Sequence, residues 1–371
     1  MKLIFEKRYK EIQKFINQKK YKKFFIITGF NSYNKSGASK YFEKIFLNKK
    51  VKIYFKKNNI PEVRELSRII KDLNKFKPDL IIAIGGGSVL DYAKLSNVLF
   101  NEKNPKIKIR RSIYNFKEKK AKLLAIPTTA GSGAEVTPFA AIYIGDQKYS
   151  VEHKFVKPDY QFLVPELVIS GNKKVKASAG FDAISQALES MLSIKSNTQS
   201  LNYSLKSLKL SIKNYEKFIK HPNKNNVLNM CVAANLAGKA ITTAKTNGPH
   251  AVSYPFSVHY NISHGHAVSL TTSQFLNLYY LKSNESLANF SIKKRFKKIF
   301  NVLKVKNINE FNQLLKKLKK AGSLEGDYKK LGINIDSNYH KILDGVNAQR
   351  LSNCPINIDV RDIKSIIKMK L

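Results

Sequence analysis

The segment LIIAIGGGSVLDYAK (Leu80 to Lys94) joins a run of apolar residues to three glycines and then to a helical pattern. A strand that is apolar throughout is typical of a parallel sheet covered on both faces. Glycines at the junction let the backbone approach a ligand closely, and the free amides at the start of the helix can bind an anion. We therefore expect a strand, a phosphate-binding turn and a helix, with Ser88 capping that helix.

Similar apolar runs lie on both sides of this segment: FFIIT (Phe24 to Thr28), VKIYF (Val51 to Phe55) and LLAI (Leu123 to Ile126). Helical patterns separate the runs, which favours parallel strands joined by right-handed crossovers. We interpret all four runs as strands buried on both faces. Residues 1–165 are therefore predicted to form a doubly wound α/β domain that binds a dinucleotide.

The strand signal ends near Pro165, and long amphipathic stretches follow, such as Asn225 to Thr243 and Ile308 to Ala321. Ala140 to Leu167 is interpreted as a hairpin and an extended linker. Residues 166–371 are predicted to form an all-α domain. Ligands of open α/β sheets bind beyond the carboxyl ends of the strands, so we expect the site to face the helical domain.

A second loop rich in glycine and hydroxyl groups, IPTTAGSGAEVTPFA (Ile126 to Ala140), follows the fourth strand. Parallel strands end at one edge of a sheet, so this loop is expected beside GGGS. A lone GGGS is equally typical of an ordinary tight turn. Two such loops at neighbouring strand ends favour a cofactor site, with Thr128, Thr129 and Ser132 offering hydroxyl groups.

Two later segments, GFDAISQALES and PHAVSYPFSVHYNISHGHAVSL, place polar residues in apolar surroundings. Asp182 and Gln186 are four residues apart and share a helix face, while His250 and His264 come from the second segment. A carboxylate with imidazoles suits a divalent cation such as Fe²⁺ or Zn²⁺. The alternatives are an ion pair between Asp182 and a lysine, and histidines that belong to the core.

GGGSVLDYAK, PTTAGSGAEVT, GFDAISQALES and the double-histidine segment, in this order, resemble the iron-containing alcohol dehydrogenase superfamily across nearly the whole chain. The resemblance implies an NAD(P)-dependent alcohol dehydrogenase or aldehyde reductase with the dehydroquinate synthase-like fold and a metal in the cleft. Carried over by position, the metal ligands would be Asp182, Gln186, His250 and His264. The cofactor-binding residues would be Gly85, Gly86, Gly87, Ser88, Asp91, Thr128, Thr129, Ser132 and Lys154.

Two positions depart from the family pattern. Gln186 stands where metal-dependent members carry histidine, and a neutral amide is a weaker ligand, so metal dependence stays open. Gly29 follows the first strand where many members carry an acid that contacts the adenosine ribose. Its absence removes a repulsion against NADPH, whose phosphate Ser32, Lys35 and Ser36 could accept. NADPH is therefore favoured, with NADH as the alternative.

The DAxSQAxES and HGHAV motifs, with the segment AQRLSNCPINI, resemble the phosphonoacetaldehyde reductase branch, which makes 2-hydroxyethylphosphonate in phosphonate biosynthesis. Arg350 is the first candidate for binding a dianionic substrate through its guanidinium fork, with Asn247 and Lys154 as further candidates. His266 and His259 are candidates for the proton donor. Supporting hydrogen bonds to other site residues are their alternative role.

Three other functions stay open at this point. The chain could reduce a simple or sugar-derived carbonyl, or it could be a lyase of the dehydroquinate synthase type. Nucleic-acid binding rests only on the formal charge of +41, and the 59 lysines are scattered along the chain, which is typical of solvated faces. We therefore expect neither a specific nucleic-acid partner nor a membrane partner.

The compartment follows from cysteine use and from the N-terminus. Two cysteines give no disulfide framework, and charges interrupt the first apolar residues too early for a signal peptide. A cytoplasmic protein is expected. A homodimer is the default assembly that the family resemblance implies.

Overall fold

The computed structural model describes residues 2–369, with side chains described from Lys10 to Met369. The chain divides into two compact units. Unit 1 comprises Met1–Thr129 and Ala134–Gly171, and unit 2 comprises Ala130–Gly133 and Asn172–Leu371.

Unit 1 is built on a parallel sheet of five strands in the order β2-β1-β3-β4-β7, beside an antiparallel hairpin of β5 and β6. Its strands are β1 (Lys23–Gly29), β2 (Lys50–Lys56), β3 (Leu80–Gly85), β4 (Lys122–Pro127), β5 (Phe139–Ile144), β6 (Gln147–Glu152) and β7 (Tyr160–Gln161). Its helices are α1 (Lys2–Gln18), α2 (Phe30–Lys35), α3 (Ala38–Ile45), α4 (Val63–Phe76), α5 (Gly87–Val98), α6 (Pro105–Arg110) and α7 (Pro165–Ile169), with a 3-10 turn at Lys154–Val156.

The apolar runs of the inner strands are explained by helices on both faces of the sheet. Phe25 and Ile27 of β1 pack with apolar residues of α4 and α5 on one face. Phe24 and Ile26 pack with residues of α1 and α3 on the other face. Burial of each such side chain contributes roughly 1.5–3 kcal/mol, so a run that is apolar at every position specifies a doubly covered strand.

The second strand differs from its prediction. VKIYF was expected to be buried on both faces, but β2 forms the edge of the sheet, and Ile53 and Phe55 keep 38% and 37% of their surface exposed. Three lysines alternate along β2, and charged side chains of this kind discourage the pairing of an edge strand with another chain. The predicted hairpin is formed by β5 and β6, and the linker after it contributes β7 to the sheet.

Unit 2 contains helices and no strand among its described residues. They are α8 (Lys173–Leu192), α9 (Thr198–Lys220), α10 (Lys224–Ala244), α11 (Gly248–His259), α12 (His264–Ser269), α13 (Thr272–Leu281), α14 (Ile292–Leu303), α15 (Ile308–Ala321), α16 (Ile335–Asp344), α17 (Ala348–Leu351) and α18 (Val360–Lys368). The predicted fold class, an α/β domain followed by a helical one, is confirmed. No helix in the described part of the chain is long and apolar enough to cross a membrane.

Helix α8 is the centre of unit 2. Nearly every residue from Lys176 to Leu192 is buried, as expected for a helix surrounded by others. Helices α9, α10 and α12 all pack against it. Polar side chains on such a helix lose their contact with water, so each needs a partner inside the protein.

Candidate functional site

Three polar side chains share one buried face of α8. Asp182, Gln186 and Glu189 follow one another at intervals of four and three residues, which places them on a single stripe of the helix. Their exposed fractions are 4%, 3% and 0%. A core helix carries such residues only where neighbouring elements provide partners for them.

Helix α12 brings His264 to this stripe because of the glycine that follows it. A Cβ atom on Gly265 would lie 1.9 Å from the carbonyl oxygen of Ser178 and 2.8 Å from Cβ of Asp182, so only glycine permits this approach of α12 to α8. The contact is fixed by hydrogen bonds. The Ser263 hydroxyl donates to Oγ of Ser178 at 2.9 Å, and the amide of His266 donates to the same oxygen at 3.1 Å.

Asp182, His250 and His264 form a compact cluster. One ligand atom from each side chain lies within 4.8 Å of the others. Nε2 of His250 is 3.1 Å from Oδ1 of Asp182, and the two imidazole rings are 5.3 Å apart at an interplanar angle of 74°. The structure thus brings together three of the four predicted ligands, and their metal-binding role remains a proposal.

Glu189 lies behind His250 and was not predicted. Its Oε1 is 2.5 Å from Nδ1 of His250, and its Oε2 accepts the amide hydrogens of Asn247 at 2.8 Å and His250 at 3.4 Å. Burial alone would lower the pKa of His250, but the charges of Glu189 and Asp182 outweigh burial and raise it. For Asp182, burial opposes ionisation, yet the hydrogen bond from His250 and the nearby histidine charges lower the pKa.

Gln186 lies one turn after Asp182, with its side chain in the same buried region. Its amide group hydrogen-bonds to the Asp182 side chain. Its Oε1 atom is buried and has no hydrogen-bond partner in residues 2–369. An unpaired buried carbonyl oxygen costs about 1–3 kcal/mol, so an electron-pair acceptor such as a cation would suit this position.

The donor set fits a divalent transition metal. One carboxylate, two imidazoles and an amide oxygen are ligands that Fe²⁺ and Zn²⁺ accept. Metal-bound histidines ordinarily donate their second ring N–H to a carboxylate, which is the relation of His250 to Glu189. These four side chains therefore fit a divalent metal, and Gln186 is the weakest ligand among them.

The two histidines proposed as the proton donor are not among the three residues of this cluster. His266 follows His264 by two residues, which turns it about 200° around α12, and its Nε2 lies 2.7 Å from the carbonyl oxygen of Glu325. His259 is the last residue of α11. It lies nine residues from His250, about 13 Å along the helix axis. The role of either histidine as proton donor stays a prediction.

The predicted substrate residues have different surroundings. Asn247 is fully buried, its amide nitrogen donates to the carbonyl oxygen of Glu189 at 3.1 Å, and its Oδ1 accepts the Tyr279 hydroxyl at 3.2 Å. This side chain supports Glu189, and its contact with substrate stays a prediction. Arg350 is partly exposed on α17. That helix is tied to α11 because the amide of Asn347 donates to the carbonyl oxygen of Ala251 at 3.1 Å.

Two residues near the cluster escaped the sequence analysis. Glu189 lies seven residues after Asp182, and this spacing on an apolar helix could have indicated a second inward carboxylate. Tyr254 lies one turn after His250, and its ring stacks on that of His264 with centroids 6.0 Å apart. A tyrosine in an apolar helix is typical of the core, so no sequence signal distinguished Tyr254.

The glycine turn of unit 1 has the predicted strand-to-helix geometry. A Cβ on Gly85 would lie 2.5 Å from Cγ2 of Val89, so this glycine is required by close packing of β3 and α5. The cap of α5 is Gly86, with no side-chain hydrogen bond. Ser88 was expected to be that cap and instead lies within the first turn. The helix start therefore keeps its amides for an anion, as a phosphate site requires.

The other residues predicted to bind the cofactor in unit 1 differ in burial and in their contacts. The Thr128 amide donates to the carbonyl oxygen of Gly85 at 3.0 Å, and Thr129 lies beside Gly86. Asp91 of α5 accepts the amide hydrogen of Ala141, and burial raises its pKa to about 6 against the opposing charge of Lys94. Lys154 is exposed, with its ammonium 5.2 Å from the ring centre of Phe155.

Ser132 belongs to unit 2, and its glycine neighbours explain why. A Cβ on Gly131 would lie 2.7 Å from the carbonyl oxygen of Ala179, and one on Gly133 would lie 2.6 Å from Cα of Gly238. Gly133 also has a φ of +60°. The glycines of this loop therefore allow close packing against α8 and α10, a purpose that the sequence did not reveal.

Comparison with known protein families gives a match over almost the whole chain. Residues 1–165 match the family described as iron-containing alcohol dehydrogenase. Residues 176–371 match the C-terminal domain of the Fe-containing alcohol dehydrogenase family.

Three related proteins are similar in sequence to part of this chain. The phosphonoacetaldehyde reductase of Streptomyces viridochromogenes is 30% identical over 220 residues, covering 57% of this chain and 56% of that protein. The bifunctional aldehyde-alcohol dehydrogenase of Escherichia coli is 35% identical over 212 residues, covering 53% and 24%. The 4-hydroxybutyrate dehydrogenase of Clostridium kluyveri is 29% identical over 239 residues, covering 60% and 61%. The chain thus spans less than two thirds of each of these relatives.

Solved structures share the fold. The sulfoacetaldehyde reductase from Bifidobacterium kashiwanohense, solved with NAD⁺, superposes with a TM-score of 0.86 at 22% identity, covering 97% of this chain and 94% of that one. An iron-containing alcohol dehydrogenase from Thermotoga maritima has a TM-score of 0.79 at 25% identity, covering 93% and 90%. On the two family matches, the chain belongs to the iron-containing alcohol dehydrogenase family.

Proposed function

We propose that this chain is an aldehyde reductase that uses NAD(P)H and a divalent metal. The observation that carries the proposal is the convergence of Asp182, His250 and His264 within 4.8 Å, inside a family of alcohol dehydrogenases. The glycine turn between β3 and α5 supports the nicotinamide cofactor, because its uncapped helix start suits a pyrophosphate.

The residues that would hold the metal are Asp182, His250 and His264, with Gln186 as a weaker fourth ligand. A divalent cation bound there supplies a Lewis acid for a carbonyl oxygen, and the reduced nicotinamide supplies the hydride. Asp182 contributes the negative charge of the donor set, and its lowered pKa keeps it ionised at neutral pH. Glu189 holds His250 from behind.

Phosphonoacetaldehyde is our first choice of substrate. This choice is supported by the phosphonoacetaldehyde reductase relative at 30% identity. It is also supported by the motif resemblance around Asp182, His264 and Arg350. Arg350 would bind the dianionic head through its guanidinium fork, and α17 is anchored beside His250 through Ala251. The second candidate is another small aldehyde, which the 4-hydroxybutyrate dehydrogenase relative favours.

NADPH is the proposed cofactor, with NADH as the alternative. Gly29 and Lys56 are register partners at the carboxyl ends of β1 and β2. A Cβ on Gly29 would lie 3.0 Å from Oγ of Ser32 and 3.8 Å from Cε of Lys56. A hydroxyl and an ammonium beside a position without a carboxylate favour a 2′-phosphate over a free ribose hydroxyl.

A direct assay tests the function. The purified chain is mixed with NADPH or NADH, Fe²⁺ or Zn²⁺, and an aldehyde, and the absorbance of the reduced nicotinamide is followed. We expect faster oxidation with phosphonoacetaldehyde than with acetaldehyde or succinic semialdehyde, and loss of turnover in Asp182→Asn. No oxidation in any combination would overturn the proposal. Turnover without net cofactor oxidation would indicate a lyase.

A further inference from the structure

Glu189 is a buried carboxylate that pairs with no lysine or arginine in the described part of the chain. Its side chain is 0% exposed, and among residues 10–369 its oxygens meet only the His250 ring and the amides of Asn247 and His250. Removing a carboxylate from water costs several kcal/mol unless its hydrogen bonds are replaced. This arrangement replaces them with three donors, all at the start of α11.

The two ring nitrogens of His250 face different groups. Nδ1 lies 2.5 Å from Oε1 of Glu189, and Nε2 lies 3.1 Å from Oδ1 of Asp182. An ionised carboxylate only accepts hydrogen bonds, so Nδ1 must carry the hydrogen in this contact. A cation would then take the place of the Nε2 hydrogen that bonds to Asp182 and bind the lone pair of Nε2.

Glu189 also fixes where the ring stands. Its second oxygen accepts amide hydrogens at the first turn of α11, the helix that carries His250. The side chain of Asn247 donates back to the Glu189 carbonyl at 3.1 Å. One carboxylate therefore sets both the position of the helix start and the orientation of the imidazole.

We propose that Glu189 is a positioning residue that holds His250 as the Nδ1–H tautomer, with Nε2 presented to a divalent cation shared with Asp182 and His264. The proposal rests on the metal site of the proposed function and is independent of the substrate. It predicts that Glu189 governs metal affinity without being a ligand, since its oxygens lie on the opposite side of the ring from Nε2.

The decisive substitution is Glu189→Gln, which keeps size and shape. The amide oxygen of glutamine is needed by the Asn247 and His250 amides, so its NH₂ group would face Nδ1 of His250 and donate to it. The ring must then carry its hydrogen on Nε2, where the cation belongs. We expect the Zn²⁺ dissociation constant to rise by about 10- to 100-fold, as for other residues that support metal-bound histidines.

The measurements are Zn²⁺ affinity by competition with a chromophoric chelator, the visible spectrum of the Co²⁺ form, and ¹⁵N NMR of the His250 ring in the Zn²⁺ form. Tyr279→Phe is the control, because it removes a buried hydrogen bond to Asn247 and leaves the Glu189 carboxylate in place. We expect the control to lose stability and to keep its Zn²⁺ affinity within about 2-fold, in contrast to Glu189→Gln.

Unchanged Zn²⁺ affinity in folded Glu189→Gln would overturn the positioning role alone. If that variant fails to fold, ¹⁵N NMR of the unmodified chain in its Zn²⁺ form still tests the positioning role. An Nδ1–H signal from His250 in the Zn²⁺ form supports the role, and an Nε2–H signal overturns it. A chain that binds none of Zn²⁺, Co²⁺ and Fe²⁺ would overturn the metal site of the proposed function itself.

Discussion

The ring of Tyr254 stacks on the imidazole of His264, with centroids 6.0 Å apart and an interplanar angle of 29°. Tyr254 lies on α11, one turn after His250, and is 8% exposed. The two histidines of the cluster are therefore held from different sides. A carboxylate supports His250, and an aromatic face supports His264.

This stacking predicts a difference between two substitutions of Tyr254. Phenylalanine keeps the ring, so Tyr254→Phe should leave the Zn²⁺ dissociation constant within about 3-fold. Alanine removes a contact of about 0.5–1.5 kcal/mol, so Tyr254→Ala should raise the constant by up to about 10-fold. Tyr280→Ala is the control, since Tyr280 packs on Phe296 and Phe300. Equal affinities for all three variants would show that the ring does not support His264.

The approach of α12 to α8 predicts a large effect of Gly265→Ala. The added Cβ would lie 1.9 Å from the Ser178 carbonyl oxygen, so α12 must move and carry His264 away from Asp182. Overpacking of this kind costs roughly 1–3 kcal/mol, and Zn²⁺ affinity should fall as well. Urea unfolding and chelator competition measure the two effects. Gly326→Ala is the control because its Cβ would meet only Nζ of Lys319, at 3.6 Å. A Gly265→Ala variant of normal stability would contradict this account of the contact.

The sequence predicted the inner strands well because both faces of that sheet are covered, which makes every position apolar. It failed for β2, since a strand's place at the edge depends on topology and not on its own residues. The convergence of Asp182, His250 and His264 was expected from the family resemblance. Residues two apart on a helix point to opposite sides, which explains why His266 contacts the carbonyl oxygen of Glu325 while His264 contacts the cluster.

The sequence did not predict which buried residues contact one another in the core. Glu189 contacts His250 because α11 begins beside the end of α8 that carries Glu189. Gly131 contacts Ala179 because its loop packs on α8. Contacts between segments so distant along the chain are set by tertiary packing. The packing role of Gly131 and Gly133 therefore could not be predicted, while the cofactor contacts of Thr128, Thr129 and Ser132 stay a prediction.

Cofactor preference is tested by Gly29→Asp. The backbone at Gly29 is extended, with φ −100°, and accepts aspartate if Oγ of Ser32, 3.0 Å from the added Cβ, moves by a few tenths of an ångström. Its carboxylate would lie beside Lys56, repel a 2′-phosphate and accept ribose hydroxyls. The ratio of kcat/KM for NADPH to that for NADH should fall by about 10-fold or more, since like charges in such a site are strongly unfavourable. Gly29→Ala separates size from charge, and an equal fall in that variant would contradict the electrostatic explanation.

Both cysteines should resist thiol reagents in the folded protein. Cys231 and Cys354 are buried, and burial raises the pKa of Cys354 to about 12, although the Tyr279 hydroxyl bond opposes the shift. The reactive thiolate is therefore scarce at pH 8, and raising the pH to 9 should change little. Native protein should release almost no colour with Ellman's reagent, whereas guanidinium-unfolded protein should show both thiols. Rapid labelling of the native chain would mean that this region opens readily.

Gln186 offers the clearest test of the metal site itself. Its Oε1 is buried without a hydrogen-bond partner in the described chain, and an imidazole at this position would be a stronger ligand for Fe²⁺ or Zn²⁺. Gln186→His should lower the Zn²⁺ dissociation constant by about 10-fold or more, which adds about 1.4 kcal/mol of stability at saturating metal. Gln186→Met keeps similar bulk without the amide oxygen and should weaken binding. Chelator competition gives the affinities, and thermal unfolding with and without Zn²⁺ gives the stability. Affinities unchanged in both variants would place Gln186 outside the metal's ligands and leave Asp182, His250 and His264 as the whole protein contribution.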